Sequence, residues 1–181
     1  MADCLVEWLV ERVREEARQK NGKKPGPAVH DDLCVVIDED GRERHQFVAG
    51  RANQLWLTDI TEHKTAEGRL YLCAVKDASS GRIVGYWVDS KMKAALAVPA
   101  VPNAVARRGN VKGCIVHSDR GSHFRSRKLR HELAGDNLVG SMGRVASCGD
   151  NAAIESFFSC CRRTGWIGVR GPCAKSFASR S

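Results

Sequence analysis

The chain has 181 residues, 43% of them hydrophobic, and carries 29 Lys and Arg against 21 Asp and Glu, for a net charge of +8. That length fits one domain with extensions around a real core, and the basic balance favours an anionic partner. The eight cysteines include no C-x-x-C pair and their spacing does not suggest a zinc site with the six histidines; together with the lack of a membrane-length apolar run or a signal-peptide pattern, this speaks against the secreted disulfide scaffold and the membrane span, and a cytoplasmic protein is expected.

Residues 1–20 place Leu5, Trp8, Leu9 and Val13 on one helical face, with Glu and Arg lining the rest. Asn21-Gly-Lys-Lys-Pro-Gly-Pro27 is a linker, because two prolines and two glycines forbid regular structure. Leu33–Ile37 has strand composition and Asp38–Gly41 that of a turn, but residues 28–50 carry no functional signal. Alternating patterns then predict strands over Leu55–Thr61, Leu70–Val75 and Arg82–Val88, the last two separated by a Ser79-Ser-Gly81 turn. These three suit an antiparallel meander. Lys91–Arg108 has helical composition interrupted by Pro99 and Pro102. Cys114–His117 is a further strand, residues 126–134 a short basic helix and Leu138–Met142 a fifth strand. A small-residue loop over Gly143–Gly149 precedes a last helix that starts near Asn151, with Asp150 or Asn151 as its N-cap.

Three carboxylates stand out on this frame. Asp59 lies inside the alternating strand Leu55-Trp-Leu-Thr-Asp-Ile-Thr61. Asp119 follows a strand end, Cys114-Ile-Val-His-Ser-Asp119, and sheets of this kind gather ligands just beyond their strand ends. Glu155 sits in the opening of the last helix, with 35 residues between it and Asp119. Magnesium takes oxygen ligands and keeps several waters, so three carboxylates suffice for a site that works on phosphates. An Asp in an apolar strand is costly to bury alone, and a cation removes that cost. His117, Ser118, Arg120 and His123 flank Asp119 and suit phosphate contacts. Arg125, Arg127, Lys128 and Arg130 form a basic run beside it, suited to a DNA channel.

Four ordered strings carry a resemblance. They are Trp56-Leu-Thr-Asp-Ile-Thr61, His117-Ser-Asp-Arg-Gly-Ser122, Gly140-Ser-Met-Gly-Arg144 and Asp150-Asn-Ala-Ala-Ile-Glu-Ser-Phe-Phe158. Over roughly residues 46–159 the chain resembles the insertion-sequence DDE transposases, whose catalytic core is of the retroviral integrase type. The resemblance implies an α/β, ribonuclease-H-like mixed sheet, three antiparallel strands followed by alternating helices and strands, with helices on both faces. It implies a catalytic and metal-binding triad of Asp59, Asp119 and Glu155 holding two Mg2+ or Mn2+ ions. It also implies DNA contacts from Arg120, His123, Arg125, Arg127, Lys128 and Arg162. The implied reaction is cleavage of a DNA 3′ end followed by strand transfer, acting on transposon ends and target DNA. Association with the nucleoid, assembly as a homo-oligomer and a separate helix-turn-helix polypeptide follow from the same likeness.

The resemblance divides the chain into residues 1–45 (helix and basic linker), 46–159 (catalytic core) and 160–181 (a divergent tail, expected to be disordered). From the spacing of cysteines and histidines, the zinc-binding amino-terminal module of retroviral integrases is not expected within these residues. The likeness stops at Ser159, where Cys160-Cys-Arg-Arg-Thr-Gly-Trp-Ile-Gly-Val-Arg-Gly-Pro-Cys173 replaces a leucine-rich helix. Permitted codons, stepped back one base, give the amphipathic series Leu-Leu-Gln-Lys-Asn-Gly-Leu-Asp-Arg-Arg. A frameshifted carboxyl end is therefore expected, which makes an inactive remnant that binds DNA or a partner the alternative to an active enzyme. A metal-dependent nuclease of the same fold, without joining activity, is the third reading.

Overall fold

The computed structural model describes residues 26–65, 67–93 and 96–143, together with Ile154 and Phe158. The expected amino-terminal helix, most of the linker, most of the last helix and the divergent tail lie outside the described residues.

Two short strands, β1 (Val35–Ile37) and β2 (Glu43–His45), pair antiparallel as a small separate sheet. Five more form the main sheet: β3 (Leu55–Thr65), β4 (Gly68–Asp77), β5 (Ile83–Asp89), β6 (Ile115–Ser118) and β7 (Val139–Met142). Their spatial order is β5-β4-β3-β6-β7. The β3–β4 and β4–β5 pairings are antiparallel, and β3–β6 and β6–β7 are parallel. The expected mixed sheet, a meander followed by alternating helix and strand, is therefore the architecture of the chain.

Alternation along β3 and β4 divides the core between two faces. Trp56 and Ile60 of β3 join Tyr71, Cys73 and Val75 of β4 on one face, under helices α1 (Ala100–Arg108) and α2 (Arg127–Gly135). Leu72 and Ala74 point to the other face, where Ile154 and Phe158 pack on them. Ile154 and Phe158 are both helical and four positions apart, the spacing that puts two side chains on one helical face. Helices thus cover both faces, as expected. Further along that second face, Cys34 packs on Leu55 and Leu57, with Phe47 and Ile115 beside them.

Two elements differ from their sequence expectation. The β3–β4 ribbon runs beyond the apolar pattern to Thr65 and back from Gly68, and its arms are tied by the Glu62–Arg69 ion pair at 3.0 Å. The helix expected from Lys91 begins only at Ala100. Pro99 is its N-cap and Pro102 stands in its first turn. The amide groups of a first turn have no partner within the helix, so proline costs little there. Pro99 and Pro102 therefore start the helix rather than interrupt it. Ser126 caps α2, its hydroxyl accepting the Leu129 N–H at 3.2 Å. Among the described residues, no helix is long and apolar enough to cross a membrane.

Candidate active site

Leu57 of β3 and His117 of β6 are partners in the parallel pairing. Two residues further along each strand direction come Asp59 and Asp119. Asp59 is still within β3, whereas Asp119 is the first residue past the end of β6. Because side chains alternate, Asp59 points to the face that holds Leu57 and Ala74. Ile154 and Phe158 cover Ala74 on that same face. The next residue, Glu155, lies outside the described residues, and so does Arg162.

The two aspartates differ in setting. Asp59 is 8% exposed, whereas Asp119 is open to solvent. The Asp119 carboxylate accepts the Gly121 N–H at 2.8 Å, which bends the chain back at once after the strand. A Cβ on Gly121 would press against that carboxylate. Next to Asp59, burial pushes the Cys73 thiol up to about 12, against a weak contact from Thr58. Cys73 therefore stays protonated, and its side chain lies on the face opposite that of Asp59. The side-chain donors that Asp59 and Asp119 offer are carboxylate oxygens, the chemistry that Mg2+ or Mn2+ prefers.

The basic residues around Asp119 have distinct roles. Arg120 donates from Nε to the Gly143 carbonyl at 2.8 Å, joining the loop after β6 to the end of β7. His123 Nδ1 meets the Lys93 carbonyl at 2.8 Å. Arg125 is half-buried, with its guanidinium against Gly26. Arg127 and Lys128 are exposed at the start of α2, whose Leu129 and Leu133 face the core. His117 and Ser118 are buried, and His117 Nδ1 pairs with Ser141 Oγ at 2.9 Å. Ser141 escaped the sequence reading as an individual position, although it lies in the Gly140-Ser-Met string. That string is fixed from below: the His30 ring fills the space a Gly140 side chain would need, and the Met142 N–H donates to the Asp31 carbonyl at 3.1 Å.

Residues 49–148 match the family model of the integrase core domain. Transposase InsF for insertion sequence IS3A of Escherichia coli K12 is 37% identical over 145 residues, covering 80% of this chain and 50% of that protein. An uncharacterized transposase-like protein of Haemophilus influenzae is 34% identical over 131 residues, covering 72% of this chain and 60% of its own length. The chain thus spans about half the length of the insertion-sequence transposase it matches. A chain of the simian T-cell lymphotropic virus intasome in complex with PP2A regulatory subunit B56 gamma superimposes with a TM-score of 0.57 at 17% identity, covering 87% of this chain and 49% of that one. This structural likeness is one of fold.

Proposed function

The chain belongs to the integrase core domain family, and we propose that it is the catalytic core of an insertion-sequence transposase that cleaves DNA 3′ ends and joins them to target DNA through Asp59, Asp119 and Glu155. The observation that carries this reading is that Asp59 and Asp119 each follow the paired Leu57 and His117 by two residues, with Asp59 on the face where Ile154 and Phe158 pack. These carboxylates would hold divalent cations, Mg2+ or Mn2+, which would supply activation of an attacking oxygen and stabilisation of a leaving one. The protein's own part is placement. Strand β3 holds Asp59 largely buried, and the Gly121 N–H orients the Asp119 carboxylate. Arg127 and Lys128 offer exposed charge to a DNA backbone, whereas Arg120 and His123 brace the loop that carries Asp119.

A transposition assay with DNA carrying the element's own ends tests this. Purified protein with Mg2+ or Mn2+ is expected to nick and join the ends, and Asp119→Ala to do neither. Cleavage without joining would favour the nuclease reading. Activity that survives Asp119→Ala would sink the triad assignment. The abrupt change of composition after Ser159 favours a second reading, a frameshifted remnant. Activity regained only when the other-frame tail is restored identifies that case.

A further inference from the structure

A second cluster of ligand-type side chains lies lower on the same face of the sheet. The donor atoms of Asp32, Cys34 and His117 all lie within 4.8 Å of one another. Asp32 and Cys34 come from the approach to β1, and His117 from β6, far along the chain. Cys34 is 4% and His117 2% exposed. Cysteine and histidine spacing cannot reveal such a set, because only the β3–β6 pairing and the packing of residues 30–47 across it bring the three together.

The cluster is held from several sides. Asp32 Oδ1 accepts the Cys34 N–H at 3.1 Å, and Asp32 Oδ2 pairs with His45 Nε2 at 2.8 Å. His117 Nδ1 pairs with Ser141 Oγ at 2.9 Å, and the same hydroxyl accepts the Leu33 N–H at 2.9 Å. A serine oxygen has two lone pairs and can accept both. Phe47 roofs the cluster, stacked on His45 with centroids 5.7 Å apart and tilted against His117 at 5.2 Å. Metal-bound histidines commonly donate their other ring N–H to an oxygen, and ligating carboxylates are themselves hydrogen-bonded. Ser141 and His45 stand in those two supporting positions.

We propose that Asp32, Cys34 and His117 form a Zn2+ site that fastens the β1–β2 hairpin to strand β6, with Nε2 as the histidine ligand atom, Ser141 and His45 as outer partners and water in the fourth position. One sulfur, one nitrogen and one carboxylate oxygen are the donors Zn2+ accepts, whereas Mg2+ takes oxygen alone. The two sites on this face therefore select different ions. Tetrahedral ligands at Zn2+ stand roughly 3.3–3.8 Å apart, so the cluster contracts by at most about 1.5 Å on binding. The Cys34 thiol proton leaves to solvent as the ion enters. Because His117 lies two residues before Asp119, the ion anchors the strand whose tip carries that carboxylate.

Co2+ is the probe. Full-length protein stripped with a chelator and titrated with Co2+ is expected to develop a thiolate-to-cobalt charge-transfer absorption that saturates at one equivalent, and Zn2+ is expected to displace it. Cys34→Ser should abolish the band, Cys73→Ser should leave it unchanged, and Asp32→Asn or His117→Gln should weaken Co2+ binding at least about tenfold. No band in the unaltered protein, or one undiminished in Cys34→Ser, overturns the proposal. A measurement on the unaltered chain guards against a variant that fails to fold. Zn2+ should slow alkylation of Cys34, mapped by peptide mass, and equal alkylation with and without the ion overturns the site as well.

Discussion

Asp59 lies directly opposite Ala74 in the antiparallel pairing of β3 and β4, and Ala74 is fully buried beneath Ile154. The carboxylate and the helical contact thus share one patch of sheet. Asp59→Asn keeps the shape of the side chain and removes only its charge. With the transposase reading, this change and Asp119→Asn should each lower Mg2+-dependent DNA joining by about 100-fold or more while the circular dichroism spectrum is unchanged. Retained joining in either variant counts against the carboxylate pair.

Arg127 and Lys128 project from α2 into solvent. If each neutralises one phosphate, alanine at either position lowers the slope of log affinity against log salt by about 0.9 for duplex DNA. The measurement is a salt titration of DNA binding by fluorescence anisotropy. Arg120→Ala is expected to act differently, loosening the loop that Arg120 ties to Gly143 and lowering thermal stability.

Gly85 on β5 lies against α1 so closely that a Cβ would strike the Ala100 carbonyl and Ala104. Neither obstacle is the end of a flexible side chain, so the helix must move. Gly85→Ala should destabilise the fold by about 1–3 kcal/mol, read as a shift of the urea midpoint.

Asp77 is fully buried at the end of β4 and gathers several donors. Its carboxylate accepts the N–H groups of Asn53, Ser79 and Ser80, at 3.0, 3.0 and 2.9 Å, and meets the Arg108 guanidinium at 3.1 Å. Burial alone would push its pKa up. The backbone N–H groups and Arg108 outweigh that and hold it below the usual carboxylate range. An unfolded Asp titrates near 3.9. Since the folded value is lower, the stabilisation is complete above about pH 4 and is lost as pH falls through the folded value. Asp77→Ala should cost about 3 kcal/mol at neutral pH, because it strands the partly buried Arg108 and removes the acceptor of three N–H groups. The loss relative to the unaltered protein should shrink in acid, which a pH series of urea melts measures.

His30 moves in the same direction for a different reason. Burial lowers its pKa and the charge of Arg130 adds to this, partly opposed by Asp31. An unfolded His titrates near 6.5, so the unfolded chain takes up its proton first. The contribution of neutral His30 is therefore full above about pH 6.5 and fades as pH falls toward the folded value. His30→Gln should flatten that part of the stability profile below about pH 6.5, read from urea melts.

The sheet was largely legible in the sequence, because Trp56, Leu57, Tyr71–Val75 and Val116 carry the apolar patterns that burial demands. The outer arms of β3 and β4 were not, since Glu62, Lys64 and Arg69 face water and leave no apolar trace. Asp59 and Asp119 could be singled out from their strings, but not their alignment, which needs the parallel register of Leu57 and His117. Asp77 was hidden for the opposite reason. In the sequence it opens a polar turn, Asp77-Ala-Ser-Ser80, and only folding brings Asn53 and Arg108 to it.

The parallel contact between β3 and β6 has a kinetic consequence. Leu55 meets Ile115 only after β4, β5 and α1 have been laid down between them. Hairpin contacts such as His63 with Leu70 close a short loop and form early, whereas the β3–β6 union must bridge a long one. During refolding, antiparallel strand content should therefore return before β6 joins β3. Chains halted short of Ile115 on the ribosome would hold a meander that still lacks the strand leading to Asp119.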